Sequence, residues 1–230
     1  MRRLPKPADL VGAAVVGYLA GTIPSADLAT RVAAGPGIDL RAAGTGNPGA
    51  ANAMGVLGKG WGYGIMAADI TKGAMACRAG RELAGAAGAN VAGAAAVIGH
   101  CFPVWKHFQG GKGVAVSAGQ CLVTFPAYFP IDLGVAWAVG HWSKRALPAT
   151  AVASALWVTA ATVWWRKGWP NAWGPAPGPA LPLAAAVTSA VILFKFATAR
   201  TLPTSAPPPV APATMTPAIS AETPDAVSFT

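Results

Sequence analysis

The run Phe108-Gln109-Gly110-Gly111-Lys112-Gly113 sets three glycines around one lysine between two apolar stretches. Such a loop suits an anion. Glycines reach positive φ and let backbone N–H groups converge on phosphate oxygens, and Lys112 adds a mobile positive charge. Taken alone, the same run also fits a tight interhelical turn with a lysine at a membrane interface. A second run, Gly44-Thr45-Gly46-Asn47-Pro48-Gly49-Ala50-Ala51-Asn52, offers the Thr45 hydroxyl, the Asn47 and Asn52 amides and the backbone of Gly44, Gly46 and Gly49. Hydroxyl, amides, backbone donors and an ammonium together suit a phosphorylated ligand.

Two hydrophobic stretches, Trp61 to Ala79 and Leu83 to Val104, separate the runs. Crossing a membrane out and back returns the chain to the same face, so both glycine-rich loops are expected to share one surface. The composition supports that setting. With 53% hydrophobic and 11% charged residues, the 230-residue chain reads as an all-α integral membrane protein. A helical crossing takes about 20 apolar residues. On that measure the chain divides into Ala8 to Val32, the two stretches above, the segment from Val114 to Trp142, Pro148 to Trp165 and Leu181 to Ala197. Pro126, Pro130 and Asp132 interrupt Val114 to Trp142, which is read either as two short helices meeting at a turn or as one kinked helix beside a re-entrant piece. The first gives seven crossings and the second six, and about seven transmembrane helices is the favoured reading.

Residues 1–200 are read as one membrane-embedded domain. Residues 201–230, rich in Pro, Ala and Thr, are read as a disordered tail. Arg2, Arg3 and Lys6 ahead of an apolar run have the shape of a signal peptide. The run continues through Pro24 and Asp27, so it is expected to remain as the first helix. The net charge of +9 is spread between apolar segments, without the basic stripe or stacking aromatics of a nucleic-acid surface. Membrane lipid and phosphorylated substrates are the expected partners, and nucleic acid is not. Cys77, Cys101 and Cys121 lie in apolar surroundings, and His100, His107 and His141 have no zinc-site spacing. No metal or other cofactor is expected.

Charges inside apolar segments are costly and need a reason. Asp69 and Lys72, three residues apart, share a helical face and are expected to neutralise each other inside the bundle. Asp27 has no partner nearby in sequence. The loop face is counted with Arg31, Arg41, Lys59, Lys106, Lys112, Lys144, Arg145 and Arg200. The opposite face has Arg2, Arg3, Lys6, Arg78, Arg81, Arg166 and Lys167, so the charge asymmetry is slight. The protein is placed in the cell membrane with its loops facing the cytoplasm, because phosphorylated metabolites are found there.

From Gly17 to Val116 the chain resembles the bacterial acyl-phosphate:glycerol-3-phosphate acyltransferases, the PlsY family. The resemblance rests on Gly21-Thr22-Ile23-Pro24-Ser25, on Asp39-Leu40-Arg41 leading into Gly44 to Ala50 and Asn52, and on Asp69 with Lys72-Gly73. It continues through Gly99-His100-Cys101-Phe102-Pro103-Val104-Trp105 and Phe108 to Ala115. It implies a seven-helix fold that moves an acyl group from acyl phosphate to the 1-hydroxyl of glycerol 3-phosphate, forming lysophosphatidic acid without a metal or nucleotide. Lys112 matches the family's active-site lysine, and Thr45 stands where the family has a serine, so these two are the expected catalytic residues. Gly44, Gly46, Asn47, Gly49, Asn52, Gly110, Gly111 and Gly113 are the expected substrate-binding set.

Some family positions are changed. The substrate-binding arginine falls on Gly55, Gln109 and Val116 replace a lysine and a threonine, and the last helix lacks the family's histidine and following asparagine across Phe194 to Arg200. A second reading therefore stays open: a catalytically weakened relative that binds phosphorylated lipid precursors or a partner protein. A small-solute transporter is disfavoured, since no inverted repeat is visible.

Overall fold

A computed structural model describes residues 5–143 and 146–199. The predicted tail, together with Arg2, Arg3, Lys144, Arg145 and Arg200 of the charge count, lies outside the described residues. The elements are α1 (Pro7–Gly21), α2 (Ser25–Ala34), α3 (Ala50–Val56), α4 (Lys59–Cys101), a 3-10 turn (Val104–Lys106), α5 (Val114–Thr124), α6 (Phe129–Ser143), α7 (Ala146–Lys167) and α8 (Ala180–Ala197). No strand occurs among the described residues. Four helical spans are long and apolar enough to cross a membrane, and this is an integral membrane protein.

Local chemistry sets the breaks. Pro24 has no N–H and disfavours helical backbone at Ile23, so α1 stops and α2 restarts after it. The single run α4 contains a reversal at Ala84 and Gly85, where Gly85 takes φ 62°. That left-handed glycine folds α4 into a hairpin whose arms meet where Gly80 and Gly88 pack against each other's backbone. The arms are the second and third predicted crossings. The Val114 to Trp142 segment resolves into α5 and α6 around the turn Phe125-Pro126-Ala127-Tyr128. Leaving aside the 7-residue α3, counting bent α1–α2 as one segment and α4 as two gives the seven predicted helical segments. At 11 residues, α5 is about 16 Å long, roughly half a hydrocarbon core.

Small residues bring the helices together. Gly17 and Gly21 of α1 lie against Ala92 and Ala96 of α4, Gly73 against the Val116 backbone of α5, and Gly119 against Ile70. A Cβ at any of them would strike backbone, so these glycines set the interaxial distance. In a bilayer, where tails are as apolar as leucine, such close packing holds helices together. The large apolar side chains turn outward instead, among them Val11, Val15, Leu19, Leu83, Leu156 and Leu183. Inside, Thr188 Oγ1 of α8 donates to Gln120 Oε1 of α5 at 2.8 Å. Such an interhelical bond contributes on the order of 1 kcal/mol in a membrane. At the end remote from the glycine-rich loops, Asn171 Nδ2 donates to the Thr124 and Pro175 carbonyls, tying the α7–α8 connection to the α5–α6 turn. The three cysteines are buried, as small core residues should be.

Candidate active site

The first glycine-rich loop is organised from within by Asn52. Its Oδ1 accepts from the Thr45 N–H at 2.7 Å, and its Nδ2 donates to the Leu40 and Ala43 carbonyls, each at 2.9 Å. The side chain is buried and its main valences are used within the loop. Asn52 thus acts as a bracket, and Ala26, Leu40, Ala53 and Ile65 fasten the bracketed loop to α2, α3 and α4. Gly44 takes φ 58° directly over the Asn52 carboxamide, where a Cβ would collide with Oδ1. Gly46 also has positive φ, and a Cβ on Gly49 would press on Asn47 Nδ2. The Thr45 side chain is exposed.

The second loop is seated on the end of α4. The Gly110 N–H donates to the Cys101 carbonyl at 3.1 Å. Added Cβ atoms would strike the His100 carbonyl from Gly110 and the His100 imidazole from Gly111. Gly113 has φ 85° and lies over Cys101, Val97 and Ile192. Lys112 leaves this loop toward α8, with its Nζ 4.3 Å from the centroid of the Phe196 ring. Burial of Lys112 favours the neutral amine and lowers its pKa from the ordinary lysine value.

Arg41 joins the two loops. Its Nε donates to the Gln109 carbonyl at 2.9 Å, Nη1 to Asp27 Oδ1 at 2.7 Å and to Asp39 Oδ1 at 3.2 Å. Burial works against the guanidinium charge, but the hydrogen bond and field of Asp27, helped by Asp39, outweigh it and hold the Arg41 pKa above its ordinary value. Lys106 Nζ reaches the other Asp27 oxygen at 2.9 Å. The partner that sequence spacing does not supply for Asp27 thus comes from two other segments.

Below them, Lys72 and Asp69 pair as expected, Nζ to Oδ1 at 2.8 Å. The approach falls outside hydrogen-bonding angles, so the contact is coulombic; Lys72 donates to the Ile23 carbonyl at 2.9 Å. That carbonyl lies at the α1–α2 break made by Pro24. His100 Nδ1 is 3.8 Å from the same Asp69 oxygen.

Several of these groups line an open cleft between α1, α2, the α4 end and both loops. Of the residues selected from sequence, Gly110 and Gly111 line it, as does Pro48 of the first loop. Thr45, Asn47 and Lys112 lie outside its lining, and Gly44, Gly46, Gly49, Asn52 and Gly113 shape the backbone around it. Sequence reasoning did not select Arg41, Lys106, Ser25 or His100, all of which line the cleft. A usable signal was present for Arg41, which stands two residues after an aspartate and just ahead of the first loop. Among the described residues no group of three His, Cys, Asp or Glu side chains converges as a metal site would.

Helices packed through glycine and a cation-rich cleft built from two glycine loops define a membrane-embedded protein suited to handling a small anionic substrate. The chain belongs to the glycerol-3-phosphate acyltransferase family, whose profile matches residues 11–201. A glycerol-3-phosphate acyltransferase of Exiguobacterium sibiricum is 43% identical over 125 residues, 54% of this chain and 60% of that relative. Another, of Methylorubrum extorquens, is 38% identical over 179 residues, 70% of this chain and 87% of that relative. The solved structure of PlsY (YgiH), an integral membrane glycerol 3-phosphate acyltransferase in its glycerol 3-phosphate form, aligns with a TM-score of 0.67 and 25% identity. That alignment covers 84% of this chain and 94% of PlsY.

Proposed function

We propose that this protein transfers an acyl group from acyl phosphate to glycerol 3-phosphate, making lysophosphatidic acid for phospholipid synthesis, with the loop end facing the cytoplasm. The observation that carries this reading is Arg41, which ties two glycine-rich loops to one cleft through Asp27 and the Gln109 carbonyl. Two phosphorylated substrates need donors and positive charge at one place, and the loops supply both. In the transfer, the 1-hydroxyl oxygen of glycerol 3-phosphate bonds to the acyl carbonyl carbon, the carbon–oxygen bond to phosphate breaks, and inorganic phosphate leaves with the proton released from the hydroxyl. Holding both substrates together removes the entropic cost of their encounter, and fixed donors stabilise charge building on the carbonyl and departing phosphate. Lys112 is assigned to that charge and Thr45, with its exposed hydroxyl, to the substrates. The loop glycines and Asn47 complete the binding set, and Asn52 acts by fixing loop shape.

Labelled acyl phosphate and glycerol 3-phosphate, incubated with the purified full-length protein in lipid, test the assignment. Wild type should form lysophosphatidic acid. Lys112→Ala should lose about 2–5 kcal/mol of transition-state stabilisation, whereas Lys59→Ala should change little. Ligand binding without turnover in wild type would support the weakened-relative reading; equal turnover by wild type and Lys112→Ala would remove Lys112 from the site.

A further inference from the structure

Apart from the exposed Arg31 and Lys59, the described basic side chains at the loop end fall into two groups. Arg41 and Lys106 share Asp27, Arg41 also meets Asp39, and Lys72 meets Asp69. Lys112 and Lys195 have no carboxylate at ion-pair distance among the described residues. Each rests on an aromatic ring. Lys112 Nζ lies over Phe196, and Lys195 Nζ is 5.1 Å from the centroid of Phe102, whose ring is 6.1 Å from that of Phe194.

The second loop and the last turn of α8 converge on one acceptor. Lys195 Nζ donates to the Cys101 carbonyl at 3.2 Å, and the Gly110 N–H donates to the same oxygen at 3.1 Å. This bond caps a carbonyl left over at the end of α4, a structural use that occupies one of three ammonium hydrogens. Lys195 is also close enough to His100 and Arg41 to act on them electrostatically. Each of the two lysines is a cation at one end of an apolar bundle with no counter-ion among the described residues, and is incompletely solvated. An anion bound beside Lys195 would relieve that cost.

We propose that Lys195 contacts substrate phosphate from the last turn of α8, forming a phosphate receptor beside His100 and Arg41 of the cleft. The chemistry recognised is a phosphate dianion. Its source, the acyl phosphate or glycerol 3-phosphate, rests on the acyltransferase reading above. Lys195 supplies from α8 a cation in a stretch where this chain lacks the family's histidine and asparagine.

The test combines equilibrium binding with kinetics on the full-length protein in lipid. Inorganic phosphate is the probe for binding, because it needs no turnover. Lys195→Met keeps an apolar stem against Phe102 and removes the charge, Lys195→Arg keeps the charge, and Lys59→Ala is the remote control. Lys195→Met should weaken phosphate binding about tenfold or more, with Lys195→Arg within about threefold of wild type and Lys59→Ala unchanged. In turnover, Lys195→Met should raise the KM of one phosphorylated substrate by a similar factor with much less change in kcat. The substrate affected identifies the phosphate held. Charge-dependent phosphate binding in a protein without turnover would uphold this receptor and sink the acyltransferase reading. Phosphate binding by Lys195→Met equal to wild type, with turnover intact, would overturn the receptor alone. Should Lys195→Met fail to fold, Lys195→Gln replaces it, and unchanged phosphate binding by that variant would likewise overturn the proposal.

Discussion

The cleft beneath Arg41 and the end of α8 both gather positive charge, but only the cleft supplies the negative charge to balance it. Asp27 is shared between Arg41 and Lys106, and Lys72 lies buried beside Asp69. At the α8 end, Lys112 and Lys195 face aromatic rings. A buried cation with its own carboxylate holds parts of the chain in register. A cation without one is available to a ligand, and its removal should be felt in binding before it is felt in folding. Mutations in the two regions should therefore separate stability from phosphate affinity.

The largest effect is expected at Asp69, which is 3% exposed and pairs with Lys72 at 6%. Asp69→Asn leaves the Lys72 ammonium buried without a counter-charge, and removing one partner of a buried pair costs about 3–5 kcal/mol. Thermal or denaturant unfolding of the protein in detergent should show a loss of that order. The double change Asp69→Leu with Lys72→Met should recover most of it. Lys195→Met should lie within about 1 kcal/mol of wild type in the same assay. If Asp69→Asn unfolds like wild type, the contrast between the regions fails.

Arg41→Met should cost less, because Lys106 remains on Asp27 and no carboxylate is stranded. What is lost is a set of charge-assisted hydrogen bonds, individually worth about 1.5–3 kcal/mol, and with them the only side-chain hydrogen bond described between the loops. Hydrogen exchange should rise in residues 44–49 and 107–113 together while the α4 hairpin stays protected. A rise confined to residues 44–49 would show that the loops are ordered separately.

The sequence made the rods legible because apolar runs, prolines and glycines act locally. Pro126 stands in the α5–α6 turn as read, whereas Pro24, read as lying inside one helix from Ala8 to Val32, ends α1, and Gly85, inside the stretch from Leu83 to Val104, turns α4. It also exposed the Asp69–Lys72 pair, whose members sit one helical turn apart. The partners of Asp27 were not legible, since Arg41 and Lys106 come from different loops and converge only after α1, α2 and α4 have packed. Asn52 was read as a ligand for the same reason: its targets, the Leu40 and Ala43 carbonyls and the Thr45 N–H, become neighbours only when the loop closes. Glycines were similarly double-edged. Gly44 and Gly113 do have the positive φ that anion loops use, whereas Gly110 and Gly111 are needed because His100 leaves no room for a side chain.

The smallest effect tests whether the unbalanced region can be extended. Gly55, on α3, is exposed, and a Cβ there meets nothing within 4 Å. Gly55→Arg should therefore be accommodated, and replacing a helical glycine by a good helix former favours α3 by up to about 1 kcal/mol. The family resemblance puts a substrate-binding arginine at this position, so the new guanidinium should strengthen phosphate and glycerol 3-phosphate binding. An exposed charge is screened, which limits the gain to about 0.5–1 kcal/mol, or roughly two- to fivefold in Kd. The turnover number should stay unchanged, because an arginine that binds substrate and transition state alike lowers KM without raising kcat. Titration at low and high salt separates the two consequences of the substitution. A gain that disappears with salt comes from the added charge, while one that persists comes from a stiffer α3. Unchanged affinity at low salt would place Gly55 outside the phosphate site and confine the unbalanced charge to Lys112 and Lys195.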